Sequence, residues 1–223
     1  MRTFYGRKAE LQALHQFLSI VQKRRTSQMV AVIGRRRVGK TTLMLRAFED
    51  CGLPVFYFFA DANVDESETA RAWLGEVCRA FAVEYPPALA RPEEVIGYLM
   101  QLAAERPAVC IIDECQNLNQ INKAFWSQLQ RIWDTKKDKS QLLLLMSGSI
   151  ISAMEAIFGQ SSQPLFGRLS GQLMLKPFNP REILDILRNE APDLLPKDIL
   201  TLYAVTGGVA KYLELLIEAE ALP

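Results

Sequence analysis

A single histidine, His15, stands in the 223 residues, and the four cysteines, Cys51, Cys78, Cys110 and Cys115, show no C-x-x-C spacing. A zinc site or a histidine-based catalytic triad therefore lacks its building blocks. The cysteines sit in or beside apolar segments and read as buried, reduced thiols. His15 falls on the polar side of an amphipathic stretch and is expected in solvent. No long apolar run exists; the longest aliphatic one, Leu142 to Met146, is far too short to span a bilayer. The N-terminal Met-Arg-Thr-Phe-Tyr-Gly lacks the apolar centre of a signal peptide. Charge of either sign is also missing in excess, since 26 Lys and Arg balance 25 Asp and Glu for a net +1. Global charge thus gives no case for nucleic acid or membrane, and Lys136-Lys137-Asp138-Lys139 reads as a solvated loop. A cytoplasmic protein is expected.

What is present is ordinary for a globular chain, 49% hydrophobic and 23% charged. A chain of this size can bury roughly 70–75% of its unfolded surface. Its most informative segment is Gly34-Arg35-Arg36-Arg37-Val38-Gly39-Lys40-Thr41, a complete G-x-x-x-x-G-K-[ST] string. Apolar, β-prone Met29 to Ile33 precedes it, and Thr42 to Phe48 reads as helix. Strand, glycine loop and helix together predict a phosphate-binding loop. Its glycines let successive N–H groups of residues 34–42 converge on phosphate oxygens, and the helix adds its positive end. Lys40 is expected to reach the β- and γ-phosphates, and the Thr41 hydroxyl to sit on Mg²⁺. Arg35, Arg36 and Arg37 raise local positive potential or serve a partner or nucleic acid, and none is expected to be catalytic.

Further strands are predicted at 55–59, 108–112, 142–146 and 173–175. Helices are predicted at 9–23, 68–83, 93–105 and 121–134. Near-continuous apolar strands alternating with helices indicate a parallel sheet covered on both faces, an open doubly wound α/β fold. Ligands of such folds bind beyond the carboxyl ends of the strands. From Asn179 the chain reads as helix only, with Asn179, Pro180 and Glu182 forming a capping-box-like start.

Asp113-Glu114 ends the third strand. Asp113 suits a carboxylate that holds Mg²⁺ beside Thr41, and Glu114 can polarise the water that attacks the γ-phosphate. A kinase takes its nucleophile from a substrate, so the adjacent glutamate favours hydrolysis of ATP to ADP. Ser147 or Ser149, ending the fourth strand, is expected to sense the γ-phosphate. Arg168 is the candidate for transition-state charge stabilisation, in its own chain or a neighbour's, with a surface salt bridge as the alternative.

Phe4-Tyr5-Gly6-Arg7-Lys8-Ala9-Glu10-Leu11 resembles the F-x-G-R-x-x-E-L box that precedes the phosphate loop in STAND-type ATPases and their origin-recognition relatives. With Ile112 to Gln116, Ser147-Gly148-Ser149, Pro164 to Arg168 and Thr206 to Leu213, nearly the whole chain resembles the archaeal-ATPase family, a STAND branch related to AAA+ proteins. The resemblance implies a five-stranded sheet of order 5-1-4-3-2, an ATPase core over residues 1–178 and a small helical lid over 179–223. It also implies that Tyr5, Gly6 and Arg7 lie near the adenine. Ala210 stands where the family usually carries proline, which bears on coupling between lid and nucleotide. Family members usually continue into winged-helix and nuclease-like domains, so a truncated or minimal member is expected. The leading expectation is a Mg²⁺-dependent ATPase switch, with self-association or an unidentified protein partner. A DNA-associated ATPase and a non-hydrolysing nucleotide-binding module are the alternatives.

Overall fold

In the computed structural model, residues 4–190 and 195–219 are described. Helix α1 (Lys8–Arg24) leads into β1 (Gln28–Ile33), the phosphate loop and α2 (Lys40–Phe48). Next come β2 (Val55–Phe59), α3 (Glu66–Ala80), α4 (Pro92–Leu102) and β3 (Ala108–Asp113). A 3-10 turn then precedes the short α5 (Leu118–Ile121), α6 (Phe125–Lys136), β4 (Leu142–Gly148) and α7 (Ile151–Phe158). The chain continues through β5 (Gly171–Met174), α8 (Pro180–Glu190), α9 (Pro196–Thr206) and α10 (Ala210–Glu218).

The five strands form one parallel sheet in the order β2-β3-β4-β1-β5, the expected order written from its other edge. β3 and β4 are buried along their whole length. That is why both read as unbroken apolar runs, whereas β2 and β5, at the edges, alternate in burial. Two apolar layers cover the sheet. One joins Met29, Ala31, Phe58, Cys110 and Ile112 to Trp73, Leu99 and Trp133 on α3, α4 and α6. The other joins Val30, Val32, Val109, Ile111 and Leu145 to Leu14, Leu18, Leu43 and Phe48 on α1 and α2. Successive β1 residues thus feed opposite faces, the period-2 rule of a strand.

A third apolar cluster lies beyond the sheet, made by Phe178, Ile183, Ile186, Leu187, Ile199, Leu202 and Leu213 of the last three helices and the strap before them. The start of α8 matches its sequence signal: Asn179 Oδ1 accepts from the N–H of Glu182 at 3.0 Å, and Glu182 Oε2 accepts from the N–H of Asn179 at 2.8 Å.

Two expectations are corrected. The helix expected over 121–134 is broken at Asn122, whose backbone is extended and whose Oδ1 accepts from the Ala124 N–H at 2.8 Å. A side chain that bonds its own local backbone competes with the helix ladder there. Helix α7 was not expected, although its buried residues Met154, Ile157 and Phe158 follow the i, i+3, i+4 spacing of a helix. The four cysteines are free. His15 is exposed, yet its Nε2 lies 2.7 Å from the carbonyl oxygen of Ala47, so it also ties α1 to the end of α2. Among the described residues no single helix is long and apolar enough to cross a membrane.

Candidate functional site

The carboxyl ends of β1, β3 and β4 bring the site together. β1 delivers the loop at its end, and parallel register sets Val32 beside Ser147 and Ile33 beside Gly148. Gly39 closes the loop with φ of +97°, a conformation that side-chain-bearing residues rarely adopt, and caps α2. A loop of this form can turn its N–H groups and the start of α2 towards one point, where the helix dipole favours an anion. Val38 packs inward, while Arg35, Arg36, Arg37 and Thr42 are exposed.

Lys40 is 6% exposed, and its Nζ donates to the carbonyls of Gly34 at 2.9 Å and Arg35 at 3.2 Å. Burial holds its pKa below the usual lysine value, opposed by the nearby charges of Glu114 and Asp113. The ammonium is thus held on loop carbonyls, with no direct carboxylate partner among the described residues.

Thr41 Oγ1 donates to Asp113 Oδ2 at 2.5 Å, and Tyr57 OH donates to the same oxygen at 3.0 Å. Asp113 Oδ1 accepts the N–H of Glu114 at 3.0 Å. Burial first, and then the charge of Asp113, push the Tyr57 phenol well above its ordinary value, so it remains a donor. A hydroxyl and a carboxylate meeting beside a phosphate cradle are the hard oxygen donors that Mg²⁺ takes. Among the described residues no three of His, Cys, Asp and Glu converge on a metal. Mg²⁺ held largely by phosphate oxygens and water needs no such cage. Thr41 and Asp113 fit that role.

Glu114 follows in a left-handed backbone conformation, φ 50° and ψ 41°, uncommon for a non-glycine residue. Its Oε2 accepts from Gln116 Nε2 at 2.6 Å and from Ser149 Oγ at 2.8 Å. Ser147, by contrast, is wholly buried, and its hydroxyl meets no partner among the described residues. Of the two serines, Ser149 is the one that touches the acidic pair.

The remaining sequence candidates are placed differently. Arg7, at the start of α1, directs Nη2 to the carbonyls of Lys176 at 2.7 Å and Val38 at 3.4 Å. Its guanidinium also stacks 4.2 Å over the Phe178 ring. Arg7 therefore staples the phosphate loop to the strap entering the last helices. Gly6, with φ of +65°, lies against Phe178, and Tyr5 packs on the third apolar cluster. Arg168 does not reach the site of its own chain. It forks onto Asp134, with Nε–Oδ1 at 2.9 Å and Nη2–Oδ2 at 2.7 Å, and lines a polar cleft with Thr26, Ser27 and Gln28 at the start of β1. Roughly 20 Å of strand separates that end of the sheet from the phosphate loop. The expected alternative, a salt bridge, is what forms.

Sequence reasoning missed Tyr57 and the role of Gln116. Tyr57 was hidden in the apolar run of β2, where nothing but its hydroxyl distinguishes it. Gln116 formed part of a quoted motif, but its contact depends on a 3-10 turn that folds it back on Glu114.

The sheet order and strand–loop–helix cradle define a P-loop ATPase fold. The chain belongs to the family described as "ATPase domain predominantly from Archaea", whose profile matches residues 4–216. An uncharacterized protein of Methanocaldococcus jannaschii is 27% identical over 211 residues, 95% of this chain and 43% of that protein. Among solved structures, the Walker-type ATPase of Pyrococcus abyssi is similar with a TM-score of 0.70 at 19% identity, covering 94% of this chain and 65% of that one. A STAND protein with a tetratricopeptide repeat sensor from Pyrococcus horikoshii gives 0.62 at 21%, covering 98% and 30%. The chain thus spans less than half the length of the curated relative it matches.

Proposed function

We propose that this chain is a Mg²⁺-dependent ATPase working as a nucleotide-driven switch, with residues 179–223 forming a lid on a core of residues 1–178. The observation that carries this reading is the convergence, at one end of the sheet, of Lys40, the Thr41–Asp113 pair and Glu114. In the bound state, the loop N–H groups and Lys40 hold the β- and γ-phosphates of ATP. Thr41 and Asp113 hold Mg²⁺, which neutralises charge on the phosphate oxygens. Glu114 accepts a proton from the attacking water. Gln116 and Ser149 both donate to Oε2, so the carboxylate is fixed through one oxygen while Oε1 remains to face water.

The lid reading rests on contacts with the loop itself. Ala210 lies where a Cβ on Gly39 would be 3.8 Å away, and the Arg37 guanidinium sits 5.7 Å over the Tyr212 ring. A lid that rests on the phosphate loop can respond to what the loop holds. Self-association or binding of a protein partner is then the output of the switch.

Glu114→Gln tests the chemistry. The amide is nearly isosteric, so affinity for Mg²⁺–ATP by calorimetry should stay near the parent value while turnover falls ~10²-fold or more. Unchanged turnover overturns Glu114 as the base and favours a non-hydrolysing module. Solution size measured with ADP and with a non-hydrolysable ATP analogue tests the switch, which requires the two to differ.

A further inference from the structure

We propose that Tyr57 is a positioning residue for the metal-linked carboxylate, fixing by one hydrogen bond which oxygen of Asp113 is left to face Mg²⁺ or its bound water. The inference rests on the ATPase reading above and adds a residue from a strand that contributes nothing else to the site.

Each carboxylate oxygen has about two acceptor positions. On Oδ2 both are taken, by the hydroxyls of Thr41 at 2.5 Å and Tyr57 at 3.0 Å. On Oδ1 one is taken, by the N–H of Glu114 at 3.0 Å. The remaining position is therefore on Oδ1. With three donors from three directions the group cannot rotate without breaking a bond, and Asp113 is only 4% exposed, so water does not readily replace one.

The placement follows from the sheet. Tyr57 lies across from Ile111 in the parallel register, and Asp113 is two residues further along β3 on the same face. A side chain at 57 long enough to lean one residue pair along the strand meets the carboxylate. A phenol does so as a neutral donor. A lysine or arginine there would bring a positive charge that competes with the cation for the same oxygens. Phenylalanine would still pack against the apolar layer formed with α1 and α2 without orienting the carboxylate. The hydroxyl is the part with a function.

Tyr57→Phe removes only that oxygen, so the readout is metal linkage and not turnover. Affinity for a non-hydrolysable ATP analogue is measured by calorimetry with Mg²⁺ and with EDTA, for parent, Tyr57→Phe, Asp113→Asn and the double variant. The expected result is that Tyr57→Phe lowers the Mg²⁺-dependent gain in affinity ~10-fold, as loss of an outer partner of a metal ligand does, with affinity in EDTA unchanged. In the Asp113→Asn background the same substitution should have no further effect. Equal weakening with and without Mg²⁺ marks a merely structural role and overturns the inference. So does an effect that persists without the Asp113 carboxylate. A parent that gains affinity from Mg²⁺, with Tyr57→Phe indistinguishable from it, overturns this inference alone. A parent that binds the analogue no better with Mg²⁺ than with EDTA overturns the metal-dependent reading as well.

Discussion

The backbone N–H of Lys211, in the first turn of α10, donates to the carbonyl of Arg37 at 3.2 Å, so the last described helix bonds directly to the phosphate loop. Arg37 itself has φ of +68°. Any rearrangement of the loop around phosphate must move this carbonyl or carry α10 with it. The contact forms through the N–H of the residue after Ala210.

Gly208 sets the angle at which that helix arrives. Its φ is +71°, a Cβ there would stand 1.9 Å from the carbonyl oxygen of Phe178, and its own carbonyl accepts the Phe178 N–H at 2.8 Å. Gly208→Ala should therefore destabilise the helical unit after Asn179 by about 1–3 kcal/mol. Limited proteolysis should cut the segment after residue 178 faster while the sheet core stays resistant. Equal resistance of parent and variant would show that the strap and α10 are not locked together.

Lys40→Ala should remove nucleotide binding without unfolding the chain. The ammonium is spent on two loop carbonyls and on future phosphate, not on the apolar layers. Binding of fluorescent ATP should weaken by ~10²-fold or more, since hydrogen bonds to charged groups are worth about 1.5–3 kcal/mol and the charge is lost as well. A far-UV spectrum like the parent's checks the fold. Parent-like binding would dismiss the phosphate-loop assignment.

Arg168→Ala should leave turnover within about 2-fold of the parent at concentrations where the protein is monomeric. The arginine is committed to Asp134 at the far end of the sheet. The pair is part-exposed, so its loss should cost only about 0–1 kcal/mol in urea unfolding. A large loss of turnover in the dilute monomer would contradict this placement. An arginine serving a neighbour's site would instead make Arg168→Ala lose turnover in the associated state, and mixing it with Lys40→Ala would then restore activity.

Glu93 supplies a pH signature. It is 1% exposed at the start of α4, and neither carboxylate oxygen meets a hydrogen-bond partner on another of the described residues. Burial first, and then Glu66 and Glu94, push its pKa above the ordinary glutamate value, with Arg91 opposing. A folded-state pKa above the unfolded one, ~4.3, means that the folded state holds the proton more tightly. The resulting stability is full below that unfolded value and is lost as pH rises through the folded one. Glu93→Gln removes the ionisation, so its melting temperature relative to the parent should rise as pH goes up from the unfolded value through the folded one. A difference that stays flat with pH would show that Glu93 ionises freely.

The sequence alone determined the sheet, because burial on both faces forces β3 and β4 into apolar runs that no solvent-exposed strand would carry. It determined the phosphate loop for a related reason: a tight turn that must present backbone N–H groups needs glycine at fixed spacing, and that spacing is local. Lys40, Thr41, Asp113 and Glu114 could be named as candidates from sequence because the first two open the helix after the glycine loop and Asp113 closes β3 with Glu114 next to it. Only the tertiary structure could place Arg168, since the direction of a loop between α7 and β5 depends on the packing of β5 against β1. It alone separated Ser149 from Ser147, because alternation puts residues two apart on one face, and only the turn after Gly148, where β4 ends, brings Ser149 onto Glu114. It also brought in Tyr57 and the contact of Gln116, and gave Arg7 its partners. Their partners lie on other elements or across a turn, and such contacts arise from register and folding-back that no run of neighbouring residues encodes.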